Sequence, residues 1–135
     1  MVRKRDVDRL VLKWRDRLWL NQWRISTGLC PVIEDGEEDA VYKTVASVDY
    51  EPSYRTAHVT IGGKSWDERS AKQRNRTICH EMIHVRLSSL DRFISTLIDE
   101  LPPSKREPYR NWRHDLREET AETLTDIFLS AVGEL

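Results

Sequence analysis

The seven residues Ile78-Cys79-His80-Glu81-Met82-Ile83-His84, "ICHEMIH", decide how the rest of this chain is read. Two histidines four positions apart lie on one face of a helix, one turn above the other. Both imidazoles can then offer a nitrogen to a single metal ion. Glu81 follows the first histidine, rotated by about 100° around the helix axis. From there a carboxylate reaches a water on the metal rather than the metal itself. Zinc draws the pKa of such a water toward neutrality, and the carboxylate takes its proton as it attacks a carbonyl. Residue types and spacing together predict a zinc ion as cofactor, His80 and His84 as ligands and Glu81 as general base. The competing reading is a helix whose histidines are satisfied by solvent or core. Chance order produces the pattern about one time in a hundred. The uncharged neighbours Met82, Ile83 and Val85 suit a helix buried beneath a cleft, which favours the metal.

Outward from this stretch, Ser65-Trp66-Asp67-Glu68 has the S-x-x-E spacing of a capping box and predicts the start of the motif helix. No Pro or Gly follows until well past Leu90. A further amphipathic run, Leu90, Phe93, Ile94, Leu97, Ile98 and Leu101, leads to a break at Pro102-Pro103. A second long helix is expected from about Pro108 to Val132, with Gly133 just beyond it. Upstream, Asp6 to Leu20 places Val7, Leu10, Val11, Trp14, Leu18 and Trp19 at helical steps. Between these helices, "WRISTGL" (23–29), "AVYKTVASVDY" (40–50) and "YRTAHVTIGG" (54–63) carry β-branched and aromatic residues in loose alternation. The acidic "EDGEED" (34–39) and the turn "EPS" (51–53) divide them. Such short gaps leave no room for helical crossovers, so a small, mostly antiparallel sheet is expected. The fold class is α+β, with an N-terminal helix, the sheet and two long helices.

With 135 residues the chain fits one domain, 1–135, and can bury a modest core. Charged residues make up 33%, and the net charge of -1 points to neither nucleic acid nor membrane. No apolar run is long enough to span a bilayer. The basic start "MVRKRDVDRL" precedes no apolar segment of the kind a signal peptide needs. Cys30 and Cys79 make no disulfide framework, which suggests a reducing, cytoplasmic setting.

A catalytic zinc takes three protein ligands and a water, so one ligand must come from elsewhere. The second long helix offers His114, Glu118, Glu119, Glu122 and Asp126. Its apolar face is read as Leu116, Leu124, Ile127, Phe128, Ala131 and Val132. Glu118 and His114 fall beside one margin of that face, Glu122 points further toward solvent, and Glu119 lies round near Trp112. The margin position favours Glu118 or His114. For Glu119, Glu122 and Asp126 a solvated helix face is the simpler reading.

"TICHEMIHV" followed some thirty residues later by "EETAETLTDIFL" resembles the small gluzincin metallopeptidases, the minigluzincins, and among them the ImmA/IrrE-type group with relatives in phages and mobile elements. The resemblance implies a zincin-like fold and a glutamate ligand three residues before a small residue, here Glu118 before Ala121. It also implies peptide-bond hydrolysis of a protein or peptide substrate; family members include peptidases acting on repressor proteins. Glu122 stands where the family often has asparagine, and Arg86 where longer zincin motifs place an apolar residue. A thermolysin-like pairing of Glu122 with Asp126 would move the ligand to Glu122. An SprT-like arrangement would use His114.

Other groups receive lesser roles. In zincins the strand before the motif helix forms a sheet edge that aligns an extended peptide, a role that would fall here to "RTAHVTI" (55–61). His58 and Tyr54 are then ordinary residues on or near that strand. Tyr109 and His114 are candidate oxyanion stabilisers. Cys79 is read as a small core residue. Trp14, Trp19, Trp23, Trp66 and Trp112 are read as core and packing residues. The rival to the enzyme is a binding or regulatory protein with a structural metal, against which the intact Glu81 argues. The basic clusters "MVRKR" and "KQRNR" are short and interleaved with acids, which favours a solvated surface over nucleic acid.

Overall fold

A computed structural model describes residues 3–30 and 45–135. Helix α1 (Lys4–Arg17) is followed by strands β1 (Arg24–Cys30), β2 (Ala46–Glu51) and β3 (Thr56–Gly62). A short helix α2 (Gly63–Asp67), a long helix α3 (Ala71–Asp99), a 3-10 turn (Pro103–Lys105) and helix α4 (Arg106–Ala131) complete the order. The class is α+β, mostly helical. The "EDGEED" segment and residues 40–44 of the expected second strand lie outside the described residues.

The sheet is mixed, which corrects the expectation of a mostly antiparallel one. Its order is β1-β3-β2, with β1 parallel to β3 and β2 antiparallel to it. The reason is topological. Short gaps restrict consecutive strands only, and the parallel pair joins strands between which β2 is inserted. β3 is therefore the central strand, and the edges belong to β1 and β2. Its alternation places Ala57, Val59 and Ile61 in the core, with His58 on the other face. That imidazole lies flat across β1: its Nδ1 stands 2.7 Å from Ser26 Oγ, and a Cβ at Gly28 would come within 2.8 Å of its Nε2.

Val7, Val11 and Trp14 of α1 join this core with Leu18 and Leu20. Trp14 Nε1 donates to Asn75 Oδ1 of α3 at 2.9 Å, so the buried indole keeps its hydrogen bond. Trp19 departs from the expected apolar face. The helix ends at Arg17, Leu20 N–H closes back onto Arg15 O at 2.8 Å, and Trp19 sits between at φ 58° with 85% of its surface exposed. Trp112 is likewise exposed, whereas Trp14 and Trp66 are core residues.

The motif helix begins later than the first capping pattern implies. Ser65 lies inside α2 and is buried; the capping box that opens α3 is Ser70 with Gln73. Gln73 N–H donates to Ser70 Oγ, and Ser70 N–H to Gln73 Oε1 at 2.9 Å. Two such patterns stand five residues apart, and the sequence alone does not rank them. Helix α3 then runs unbroken for 29 residues. The Arg106 side chain closes its far end by donating to the carbonyls of Asp99 and Leu101, both at 2.8 Å.

Helix α4 returns along α3, turning inward the row Ala121, Thr125 and Leu129, with Glu118 half-buried in line with it. Leu116, Ile127, Ala131 and Val132, assigned to the apolar face, are exposed. The discrepancy has a steric cause. Small side chains let two helices approach closely, and Thr125 satisfies its hydroxyl by donating to Ala121 O at 2.6 Å. No helix among the described residues is long and apolar enough to cross a membrane.

Candidate metal centre

Helices α3 and α4 alone supply the cluster. His80 and His84 stand one turn apart on α3, and Glu118 faces them from α4. His84 Nε2 lies 3.1 Å from His80 Nε2. Glu118 places Oε2 3.3 Å from His80 Nε2 and Oε1 3.2 Å from His84 Nε2. Three ligands bound tetrahedrally at about 2.0–2.1 Å stand about 3.3–3.4 Å apart, and each of these contacts is near that separation, although Glu118 meets the two imidazoles with different oxygens. The donor chemistry agrees. Burial holds the His84 imidazole down to about 4, outweighing the Glu118 charge that would raise it. His84 is therefore neutral at pH 7 and keeps a lone pair to give. The group His80, His84 and Glu118 can hold a metal ion.

Behind the ligands, Glu122 Oε1 comes 2.8 Å from His80 Nδ1, the ring nitrogen facing away from the cluster. The separation is that of a hydrogen bond, but its direction is off, and the buried Nδ1 makes no directed bond. Arg76 holds Glu122 from the other side at 2.8 Å and Asp126 at 2.6 Å. Glu122 thus stands behind His80, outside the group of His80, His84 and Glu118. Its i+4 relation to Glu118 is the signal that could have found it.

Glu81 lines a cleft of about 300 Å³ together with His80, Glu122, Arg76 and the start of β2 at Val45 and Ala46. Burial, then the Glu118 charge, push its carboxyl up to about 8 against the opposing pull of Arg117. A group so placed is a proton acceptor and donor near neutrality rather than a permanent anion. Arg117, which the sequence did not single out, reaches Glu118 Oε1 and Asp91 Oδ2 at 3.8 Å each. Asp91 is buried and binds Arg113 through both oxygens at 2.7 and 2.6 Å; Tyr50 of β2 donates to it at 2.5 Å. This network ties β2, α3 and α4 together beside the ligands.

His114 and Tyr109, the candidate oxyanion stabilisers, are exposed on α4 and line no part of the cleft. Glu119 is exposed, and Asp126 is occupied by Arg76. Cys79 is buried, and its thiol is pushed up to about 12, chiefly by burial, as expected of a core residue. A larger cleft of about 500 Å³, between Trp19, Trp23, Arg55 and Arg86, shares no lining residue with the cluster. Size alone does not make it the reactive site, because it gathers no acid, base or ligand set. No family model, curated protein or solved structure matches the chain.

Proposed function

We propose that this chain is a zinc-dependent peptidase of minigluzincin type, with a zincin-like fold, acting on a protein or peptide. The observation that carries the reading is the close grouping of His80, His84 and Glu118, with contacts of 3.1–3.3 Å, and a half-buried glutamate, Glu81, that shares a cleft with His80. Zinc, held by those three residues, would supply Lewis acidity to the scissile carbonyl and to the attacking water. Glu81 takes the proton of that water and delivers it to the leaving amine. Burial raises its basicity for the first transfer, and the carboxyl so protonated then carries the proton to the amine. Glu122, 2.8 Å from His80 Nδ1, is close enough to take that ring's proton in a hydrogen bond, and Arg117 keeps a positive charge beside the two carboxylates Glu81 and Glu118.

The edge strand beside the site is β2, not the strand immediately before the motif helix. Val45 and Ala46 border the cleft, and no strand among the described residues pairs with the outer edge of β2. An extended substrate adding there would meet free backbone groups and pass the cluster. A metal-binding regulatory protein without turnover is the rival reading; nothing in it requires a half-buried glutamate next to the ligands.

The deciding experiment compares the parent with Glu81→Gln for zinc content and for cleavage of candidate protein substrates. Gln keeps the shape and loses the base. Stoichiometric zinc in both, with hydrolysis slowed about 100- to 10,000-fold in the variant, is expected. Equal cleavage rates would remove Glu81 from the mechanism. Bound zinc without cleavage of any candidate by the parent would favour the regulatory reading.

A further inference from the structure

The outward face of the second half of α3 is left uncovered by the described residues. Leu90, Phe93 and Leu97 are 59, 59 and 52% exposed on a helix whose opposite side buries Asp91 and Ile98. Across the groove between the helices, Ile94 and Leu116 line a common apolar hollow, and Trp112, 61% exposed, extends it along α4. At ~150–250 Å² per large side chain, these six residues present roughly 600 Å² of apolar surface. That reaches the upper end of what a monomer normally shows to water and approaches the ~800 Å² each partner contributes to a standard interface.

The pattern of the stripe says what covers it. Arg86, Leu90, Phe93, Leu97 and Glu100 follow one another at steps of four, three, four and three residues, which keeps them on one line of the helix. Phe93 stands at the centre, the leucines flank it, and opposite charges close the two ends. Both charged residues are exposed, and neither has an ion-pair partner among the described residues. A stripe spaced in this way fits a second copy of itself run antiparallel about a two-fold axis through Phe93. Leu90 then lies beside Leu97 of the second copy and Arg86 beside its Glu100, once at each end. A parallel pairing would set Arg86 against Arg86 and Glu100 against Glu100.

We infer that this chain forms a homodimer through the α3 stripe centred on Phe93, with Arg86 and Glu100 pairing across the two-fold axis. The inference is independent of the metal chemistry. It also gives Arg86, charged where similar motifs carry an apolar residue, a purpose.

Sedimentation of the full chain across the micromolar range tests it, with circular dichroism and zinc content checked for each variant. The parent should sediment as a dimer and Phe93→Glu as a folded monomer. Arg86→Glu should weaken association about tenfold by setting two acids together at each end. Adding Glu100→Arg to it should restore the parent's affinity, a rescue that a partner of other chemistry would not give. Phe93→Cys should oxidise to a covalent dimer that the parent does not form. A monomeric parent, a dimer indifferent to Phe93→Glu, or a charge swap that fails to restore association would each overturn the proposal.

Discussion

Glu122 stands 2.8 Å from Nδ1 of His80, while Nε2 of the same ring faces Glu118 Oε2 at 3.3 Å. One imidazole thus lies between two carboxylates a single helical turn apart. A metal-bound histidine is oriented by whatever its second nitrogen touches.

Removing that outer contact should weaken the metal site without removing a ligand. Glu122→Ala is expected to lower zinc affinity about 10- to 100-fold, read by competition with a chromogenic chelator. Asp126→Asn, which disturbs the same Arg76 without touching the histidine, should leave the affinity near the parent's. Equal losses in the two variants would mean that Arg76, not Glu122, supports the site.

Zinc should stabilise the fold, because its ligands come from two helices that the ion joins. At a free concentration 100 times the dissociation constant the gain is about 2.7 kcal/mol. Thermal melts with zinc and with chelator should separate clearly for the parent and coincide for Glu118→Ala. A zinc-dependent shift that survives in Glu118→Ala would exclude Glu118 from the ligand set.

Asp91 makes stability depend on acid. Burial alone would raise its pKa, but the hydrogen bonds from Arg113 and Tyr50 and the nearby arginine charges outweigh it and hold the carboxyl below its usual value. A depressed folded pKa gives stability that is complete above the unfolded value, about 4, and is lost as the pH falls through the folded one. Asp91→Asn should cost about 2–3 kcal/mol at pH 7, since it leaves Arg113 and Arg117 facing a neutral group. Urea titrations should show that penalty shrinking toward pH 3. A penalty constant over that range would show that Asp91 acts through packing alone.

Asn75 joins three elements at once. It accepts from Trp14 and donates to Glu134 Oε1 at 3.1 Å, and Glu134 also binds Lys13 at 2.6 Å and Arg17 at 2.5 Å. Asn75→Ala leaves the buried indole N–H without a partner and should cost about 1–3 kcal/mol in denaturant melts. Zinc affinity should be unchanged, because none of the ligands touches this network.

The grouping of His80, His84 and Glu118 was legible in part because it depends on positions along two helices. His80 and His84 follow from a separation of four; helical position left Glu118 level with His114, and the family resemblance, a glutamate three residues before Ala121, chose between them. What escaped the sequence depends on contacts between elements. The parallel pairing of β1 with β3 leaves no local trace, since Arg24 opposite Thr56 is a meeting of distant residues. The inward face of α4 was misread because hydrophobicity marks Ile127 and Val132, whereas close approach to α3 selects Ala121 and Thr125. Arg117 and Asp91 carry no signal in the sequence, because what gives them weight is the partners they meet across elements.

The row Ala121, Thr125, Leu129 has a further consequence, because its members grow in size along α4. Glu118 and Glu122 are four residues apart, so sliding α4 along its axis by about 6 Å would deliver the second carboxylate to the place of the first. Ligand chemistry would scarcely distinguish the two settings. The packing row does: after such a slide threonine would occupy the space cut for alanine, and leucine the space cut for threonine. Which carboxylate faces the two histidines is thus decided by a ratchet of side-chain volumes, and substitutions that level those volumes would let the helix change teeth.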